Sequence, residues 1–179
     1  MRRWLLPGVL VVVLGAVVGY LAWKGWDYYR LPLERKPEHP DFRSLRPSGS
    51  YGHGLGMLGG VLVFANLLYL VRRRLQGYRL GPMPVWLDLH AFTGLLAAAL
   101  IAFHSAFQLR SQLATITSIS LAVVVLTGVI GRFLHALLPA DARLMRSWRG
   151  MHRLFAILML VTVVVHVAVA WHYGYRWRF

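Results

Sequence analysis

Two stretches of this sequence share one pattern and decide the predicted fold: His90-AFTGLLAAALIAF-His104 and His152-RLFAILMLVTVVV-His166. In each stretch, 13 mostly apolar residues separate the two histidines. Fourteen positions along an α-helix turn through about 1400° and rise roughly 21 Å, so the two histidines lie within about 40° of one another on one face. The hydrocarbon core of a bilayer is about 30 Å thick. Each stretch therefore predicts a membrane-spanning helix that carries histidines at two depths.

The composition supports a membrane protein and excludes several other classes. Of the 179 residues 58% are hydrophobic, yet the chain carries 20 Lys and Arg against 6 Asp and Glu, a net charge of +14. A soluble domain is usually about 45–50% apolar, and a soluble nucleic-acid binder would spread its basic residues over a polar surface. The chain contains no cysteine. Disulfides, thiolate metal sites, iron–sulfur clusters and thioether-linked haem are therefore excluded.

Five apolar segments are long enough to cross a bilayer. The first follows Arg3 and could be mistaken for a signal peptide, but its apolar run exceeds the usual ~7–15 residues and no A-x-A site closes it. We expect an uncleaved anchor; its removal would leave four helices. The predicted fold class is an all-α, polytopic membrane helical bundle, with residues 1–50 as anchor and external loop and residues 51–179 as a four-helix core. The predicted spans are residues 4–23, 51–71, 85–109, 111–134 and 152–171.

The distribution of basic residues predicts the orientation, because short cytoplasmic loops are enriched in Lys and Arg. One arginine-rich loop follows the second span and another precedes the fifth, whereas acids offset the bases of the Pro-containing loop at residues 24–52. We expect the N-terminus in the cytoplasm, the C-terminus outside and, as the membrane, the bacterial inner membrane. Spans three and five then run in the same direction. The loop arginines are Arg72, Arg73, Arg74 and Arg79, and then Arg143, Arg146 and Arg149.

The four histidines are candidate iron ligands. In parallel helices His90 lies level with His152, and His104 lies level with His166. Two facing imidazoles at each level are what a bis-axially ligated haem iron requires, and intramembrane histidines are costly unless they are used. A single such histidine is often only an interhelical hydrogen bonder. The repeated spacing favours ligation, and predicts two non-covalent haem b groups held by all four.

Small residues accompany these histidines. Gly94 lies on the His90 face, span four adds Gly128 and Gly131, and span two has glycines at positions 52, 56, 59 and 60. Such patterns are typical of close helix packing. Approach of the backbone to a flat haem face is the functional alternative, and the two are compatible.

Several arginines are candidate partners of haem propionates, because a guanidinium binds a carboxylate through two hydrogen bonds. The alternative for each is a role in topology or contact with lipid headgroups. His135 is a candidate propionate or quinone ligand or an ordinary interfacial residue, and the roles of His53 and His172 stay open. The candidates are Arg132, Arg149 and Arg153 at the cytoplasmic level and Arg110 and Arg176 at the outer level.

With its paired H-x13-H helices separated by one further helix, the chain resembles the transmembrane domain of ferric reductases and NADPH oxidases over about residues 51–172. It also resembles the four-helix core of respiratory cytochrome b. Either resemblance implies two stacked b haems ligated by His90, His104, His152 and His166. The chain departs from the reductases in having no G-x-G-x-x-G nucleotide motif that follows a strand, and from cytochrome b in its short connection over about residues 136–150.

These observations predict the cytochrome b subunit of a multi-subunit oxidoreductase, a transmembrane electron carrier without catalytic residues of its own. The expected partners are membrane lipid and other redox subunits: a flavoprotein, an iron–sulfur protein, a dehydrogenase or a cytochrome c. A quinone or quinol is a further candidate ligand, and no nucleic acid is expected. The alternatives are a stand-alone membrane reductase of ferric, superoxide or quinone type and, more remotely, a haem-free membrane scaffold.

Overall fold

Residues 5–75, 80–139 and 142–173 are described by a computed structural model. Within these residues the chain forms helices and turns but no β-strand, which confirms the all-α prediction. Arg79 and Arg176, two of the arginines named above, lie outside the described residues. The helices are α1 Leu5–Tyr29, α2 Phe42–Leu45, α3 Ser50–Ala65, α4 Leu68–Arg74, α5 Met83–His104, α6 Gln112–Leu137 and α7 Arg143–His172.

Five helical segments of the described chain are long and apolar enough to cross a membrane: α1, the segment Phe42–Arg74, α5, α6 and α7. Large apolar side chains remain exposed along α1, α3, α6 and α7, for example Val12, Leu58, Leu126 and Val161. A water-soluble protein rarely exposes such extensive apolar surface, whereas a bilayer covers it with acyl chains. The chain is therefore an integral membrane protein, as the sequence predicts.

The chain divides into two compact units, Met1–Gln108 and Leu109–Phe179. In the first unit α5 packs antiparallel to α3 and α4 and beside α1. In the second unit α6 and α7 form an antiparallel pair. Each unit contains one of the two helices with the H-x13-H spacing, α5 in the first and α7 in the second. The division at residue 50 that we draw from the sequence stays a prediction.

Two predicted spans differ in detail from the observed helices. The second is interrupted at Asn66 and Leu67, between α3 and α4, and the side chain of Asn66 contacts Thr93 across the helix interface. The fifth begins at Arg143, well before residue 152. Its additional turns contain arginines and so lower the hydropathy, but Met145 is buried. The spacing of apolar and polar residues along the helix, rather than their mean hydropathy, therefore indicates where α7 begins.

The C-terminal ends of α1 and α5 lie together, so these two helices run parallel. The ring of Tyr29, the last residue of α1, packs edge-on against Phe103 and Phe107 at the end of α5. Beyond His104 the chain reverses through Ala106 and Phe107, whose φ angles are 51° and 59°. The Phe107 N–H donates to the carbonyl of Ala102 at 3.2 Å, which satisfies a carbonyl that the end of a helix otherwise leaves without a partner.

The packing of α3 on α5 depends on the absence of a side chain at position 59. A Cβ at Gly59 would lie 2.7 Å from Cγ1 of Ile101 and 3.4 Å from the carbonyl of Ala97, whereas a Cβ at Gly60 would meet no atom within 4 Å. We expect Gly59→Leu to lower the free energy of unfolding by about 1–3 kcal/mol through overpacking. Thermal unfolding in mild detergent, followed by tryptophan fluorescence, measures the effect.

Gly60→Leu is the matched control, because it changes the same residue type one position along the same helix. We expect it to unfold close to the wild-type temperature. Equal losses in the two variants would contradict close α3–α5 contact at Gly59.

Candidate functional site

The two histidine pairs lie on uninterrupted helices. His90 is in the first half of α5 and His104 is its last residue, while His152 and His166 are both inside α7. All four side chains are partly buried. The helical spacing assumed from the sequence is therefore realised within each unit.

His104 packs against α3, where a hydrogen bond orients its imidazole and a glycine leaves room for the ring. Its Nδ1 lies 2.8 Å from the carbonyl oxygen of Gly52. A carbonyl can only accept, so Nδ1 carries the proton and donates it, and the imidazole lone pair is on Nε2. A Cβ at Gly56 would lie 2.6 Å from Nδ1 and 2.7 Å from Cε1 of His104. The imidazole thus rests on the bare backbone of α3.

His152 is held against α6 in a similar way. Its Nδ1 lies 2.9 Å from the hydroxyl oxygen of Thr127. That hydroxyl is also 2.8 Å from the carbonyl of Val123 and 3.0 Å from that of Val124, in its own helix. When the hydroxyl donates to one of these carbonyls, Nδ1 of His152 donates to the hydroxyl oxygen and the imidazole lone pair is on Nε2; in the other tautomer the hydroxyl donates to Nδ1.

The surroundings of Thr127 and His152 are closely packed. The indole N–H of Trp148, one turn before His152 on α7, donates to the backbone carbonyl of Thr127 at 3.0 Å. A Cβ at Gly131 would lie 2.8 Å from that indole nitrogen, and a Cβ at Gly128 would lie 3.3 Å from Cε1 of His152. Gly128 therefore borders the histidine directly, whereas Gly131 makes room for the tryptophan that binds Thr127.

His90 has a polar partner of a different kind, the chain's single asparagine. In the orientation that suits its other neighbours, the amide nitrogen of Asn66 donates to Thr93 Oγ1 at 2.6 Å and to the carbonyl of His90 at 3.0 Å, while its oxygen accepts from the Gly94 N–H at 3.2 Å. The amide nitrogen then lies 3.2 Å from Nδ1 of His90. Tyr69 of α4 stacks on the same imidazole, with ring centroids 4.9 Å apart. Asn66, between α3 and α4, and Tyr69, in the first turn of α4, thus both contact the ring of His90.

His166 lies one turn beyond Thr162 on α7. The carbonyl of Thr162 accepts a hydrogen bond from the Thr117 hydroxyl of α6 at 3.3 Å. Together with the contacts of Thr127 and Trp148, this bond fixes the antiparallel register of α6 and α7. His166 itself makes no hydrogen bond to the described residues.

Gly94, the small residue predicted on the His90 face of α5, faces Asn66. Further along α5, Ala97 is fully buried and Ile101 lies over Gly59 of α3. This region shows the close helix packing that we gave as one interpretation of the pattern. At Gly56 the same packing brings bare backbone to a histidine.

The arginines proposed as propionate partners are exposed: Arg110 before α6, Arg132 on α6, and Arg149 and Arg153 on α7. A different arginine is buried. Arg72 is only 8% exposed, and its guanidinium donates to the carbonyls of Gly81 at 2.9 Å and Leu75 at 3.4 Å. Arg72 therefore closes the loop between α4 and α5.

Sequence reasoning did not identify the residues that orient the histidines. A polar residue inside the apolar second span was a visible signal for Asn66. Thr127 gave no comparable signal, because a threonine in a membrane helix usually bonds to its own backbone. Its additional bond to His152 depends on the register of α6 against α7, which composition does not encode.

Comparison of the chain with protein-family models, with curated proteins and with solved structures finds no match.

The proton positions at His104 and His152 can be tested without any cofactor. We expect ¹⁵N NMR of the haem-free protein in detergent to show both residues as the neutral tautomer with the proton on Nδ1, assigned by single His→Gln variants. Thr127→Val keeps the side-chain shape but removes the acceptor, so the signals of His152 should shift while those of His104 stay unchanged. A spectrum with the proton on Nε2 of His104 would contradict the hydrogen bond to Gly52, and one with the proton on Nε2 of His152 would show that the Thr127 hydroxyl is the donor.

Proposed function

We propose that this protein is a dihaem membrane cytochrome b, an electron-transfer subunit that holds two b-type haems between pairs of histidines. His104 and His166 would ligate one haem, and His90 and His152 the other. The observation that carries the proposal is the orientation of His104 and His152. Nδ1 of each lies within hydrogen-bond distance of an acceptor on a neighbouring helix, the Gly52 carbonyl or the Thr127 hydroxyl, within two helices that share the H-x13-H spacing. Donation to that acceptor leaves the lone pair on Nε2.

Metal-binding histidines generally donate the other ring N–H to a carbonyl, hydroxyl or carboxylate, which fixes the tautomer and makes the ligating nitrogen more basic. Gly52 and Thr127 supply such acceptors here. Within the described residues no three His, Asp or Glu side chains gather. A bare ion usually needs at least three protein ligands, whereas a porphyrin supplies four nitrogens to its iron and needs only two from the protein. The residues thus fit haem better than a bare metal ion.

A bound haem supplies reversible one-electron chemistry at its iron. The chain's residues have three tasks in this proposal. The four imidazoles would hold the two haem irons. Gly56 and Gly128 let two of these rings approach the backbone, and the apolar helices keep water away. The two histidines of each helix are roughly 21 Å apart along the helix axis. The two haems would therefore lie at different depths and divide the path across the membrane between them.

Ligation by Nε2 of His90 sets a further condition on Asn66. With the amide nitrogen facing Nδ1, the ring proton belongs on Nε2. Reversing the amide would set its oxygen 3.0 Å from the carbonyl oxygen of His90 and its NH2 against the N–H of Gly94, so the packing around Asn66 does not favour it. Ligation by Nε2 of His90 would therefore require Asn66 to move away from Nδ1.

The proposed role is a relay between a quinone or quinol pool or a reductase on one side of the membrane and a redox partner on the other. A flavoprotein, an iron–sulfur protein, a dehydrogenase or a cytochrome c would serve as that partner. We further propose that the membrane is the bacterial inner membrane, with the N-terminus in the cytoplasm and the C-terminus outside, because the arginine-rich loops favour this orientation.

The first test is haem content. Purified protein should show a reduced-minus-oxidised b-type spectrum and about two haems per chain by pyridine haemochrome assay. Replacing His104 or His166 by Ala should remove one and the same haem, and replacing His90 or His152 the other, because loss of one axial imidazole exposes the iron. His172→Ala, at the exposed end of α7, is the matched control and should retain both.

Protein that folds and is produced with sufficient haem, but binds none, would disprove the proposal. If variants of one supposed pair lost different haems, the pairing would be wrong.

A second test uses the glycine beneath His104. Gly56→Val places a side chain where the imidazole lies, so we expect it to lower the occupancy of the haem at His104 at least several-fold, measured spectroscopically. Gly54→Val is the control, because a Cβ at Gly54 meets no atom within 4 Å. Equal haem content in the two variants would show that haem binding does not need the space that Gly56 leaves for the His104 imidazole.

A further inference from the structure

A buried lysine occupies the end of the first unit where His104 lies. Lys36, in the turn Lys36–Glu38 that follows α1, is only 2% exposed. Its ammonium donates to the carbonyl of Tyr29 at 3.2 Å and to that of Ala106 at 3.1 Å. It also lies 4.7 Å from the ring centroid of Tyr28, on the ring face. Burial of a charge is costly unless such contacts compensate for it.

These contacts join the ends of two parallel helices. Tyr29 is the last residue of α1, and Ala106 lies two residues beyond His104, the last residue of α5. The C-terminal end of a helix carries roughly half a negative charge from its aligned peptide dipoles. The end of α5 meets the single turn that ends α1 beyond the kink at Gly25, and Lys36 supplies a positive charge to a carbonyl of each.

We propose that Lys36 is a positioning residue that fixes the end of α5 and, as a buried positive charge, raises the reduction potential of the haem ligated by His104. The inference rests on the proposed function. A positive charge favours the reduced iron, which carries one positive charge fewer than the oxidised form. The effect should be larger for a buried charge than for one in water, because low-polarity surroundings screen it less.

The effect should also be local. His90 lies 14 residues from His104 on α5, a rise of roughly 21 Å, and the interaction between charges weakens with distance. Lys36 should therefore act on one haem and leave the other nearly unchanged. The sequence contains only one other lysine, Lys24, which is exposed and lies 4.3 Å from the ring centroid of Tyr51.

The experiment is a potentiometric titration of the purified, haem-loaded protein, with the two haems distinguished by comparison with the His104→Ala and His90→Ala variants. Lys36→Met should shift the midpoint of the haem at His104 to a more negative potential, with both haems still bound and the other midpoint unchanged. Lys36→Arg retains the charge and should titrate close to wild type. Lys24→Met, which removes an exposed charge, should leave both midpoints in place.

Lys36→Gln, which keeps amide donors but no charge, serves if Lys36→Met does not fold; it should shift the same midpoint in the same direction. Unchanged potentials in a folded neutral variant would overturn the role of Lys36 while leaving the proposed function intact. Equal shifts in Lys36→Arg and the neutral variant would overturn the electrostatic explanation. Absence of haem from the wild-type protein would instead disprove the proposed function itself.

Discussion

The hydrocarbon interior offers no hydrogen-bond partners, so every polar group placed there must be satisfied by the protein. This constraint explains the surroundings of three of the four histidines. His104 uses a backbone carbonyl of α3, His152 uses a hydroxyl of α6, and His90 lies against the amide of Asn66. Each partner is available only because the neighbouring helix approaches closely. The glycines beside His104 and His152 allow that approach. The packing of the helices therefore also determines how these histidines are oriented.

The sequence was sufficient to predict an all-α membrane protein with five spans, because apolar length and the placement of charges are properties of single segments. It also identified two helices with histidines on one face. The start of α7 was missed because arginines interrupt its apolar stretch. The break at Asn66 was missed because the apolar run continues through it. Both features depend on which residues face a neighbouring helix.

The candidate site was predictable in part for the same reason. Helical spacing is enough to bring His152 and His166 to one face of α7, and glycine patterns indicate where backbones come close. The contact between His152 Nδ1 and the Thr127 hydroxyl could not be predicted, since it depends on the register of α6 on α7. The environment of Lys36 was equally hidden. That residue is distant in sequence from Ala106, and only the reversal of the chain after α5 brings the carbonyl of Ala106 to its ammonium.

The break at Asn66 has a consequence for how the protein is made. The ribosome completes the second apolar segment before it reaches Thr93 and Gly94, the residues that satisfy the Asn66 side chain. During that interval a polar amide has to enter the membrane without its eventual partners, which disfavours stable insertion. Asn66 therefore gains these partners only when α5 packs against the second segment, so the synthesis of α5 completes the polar contacts of both helices.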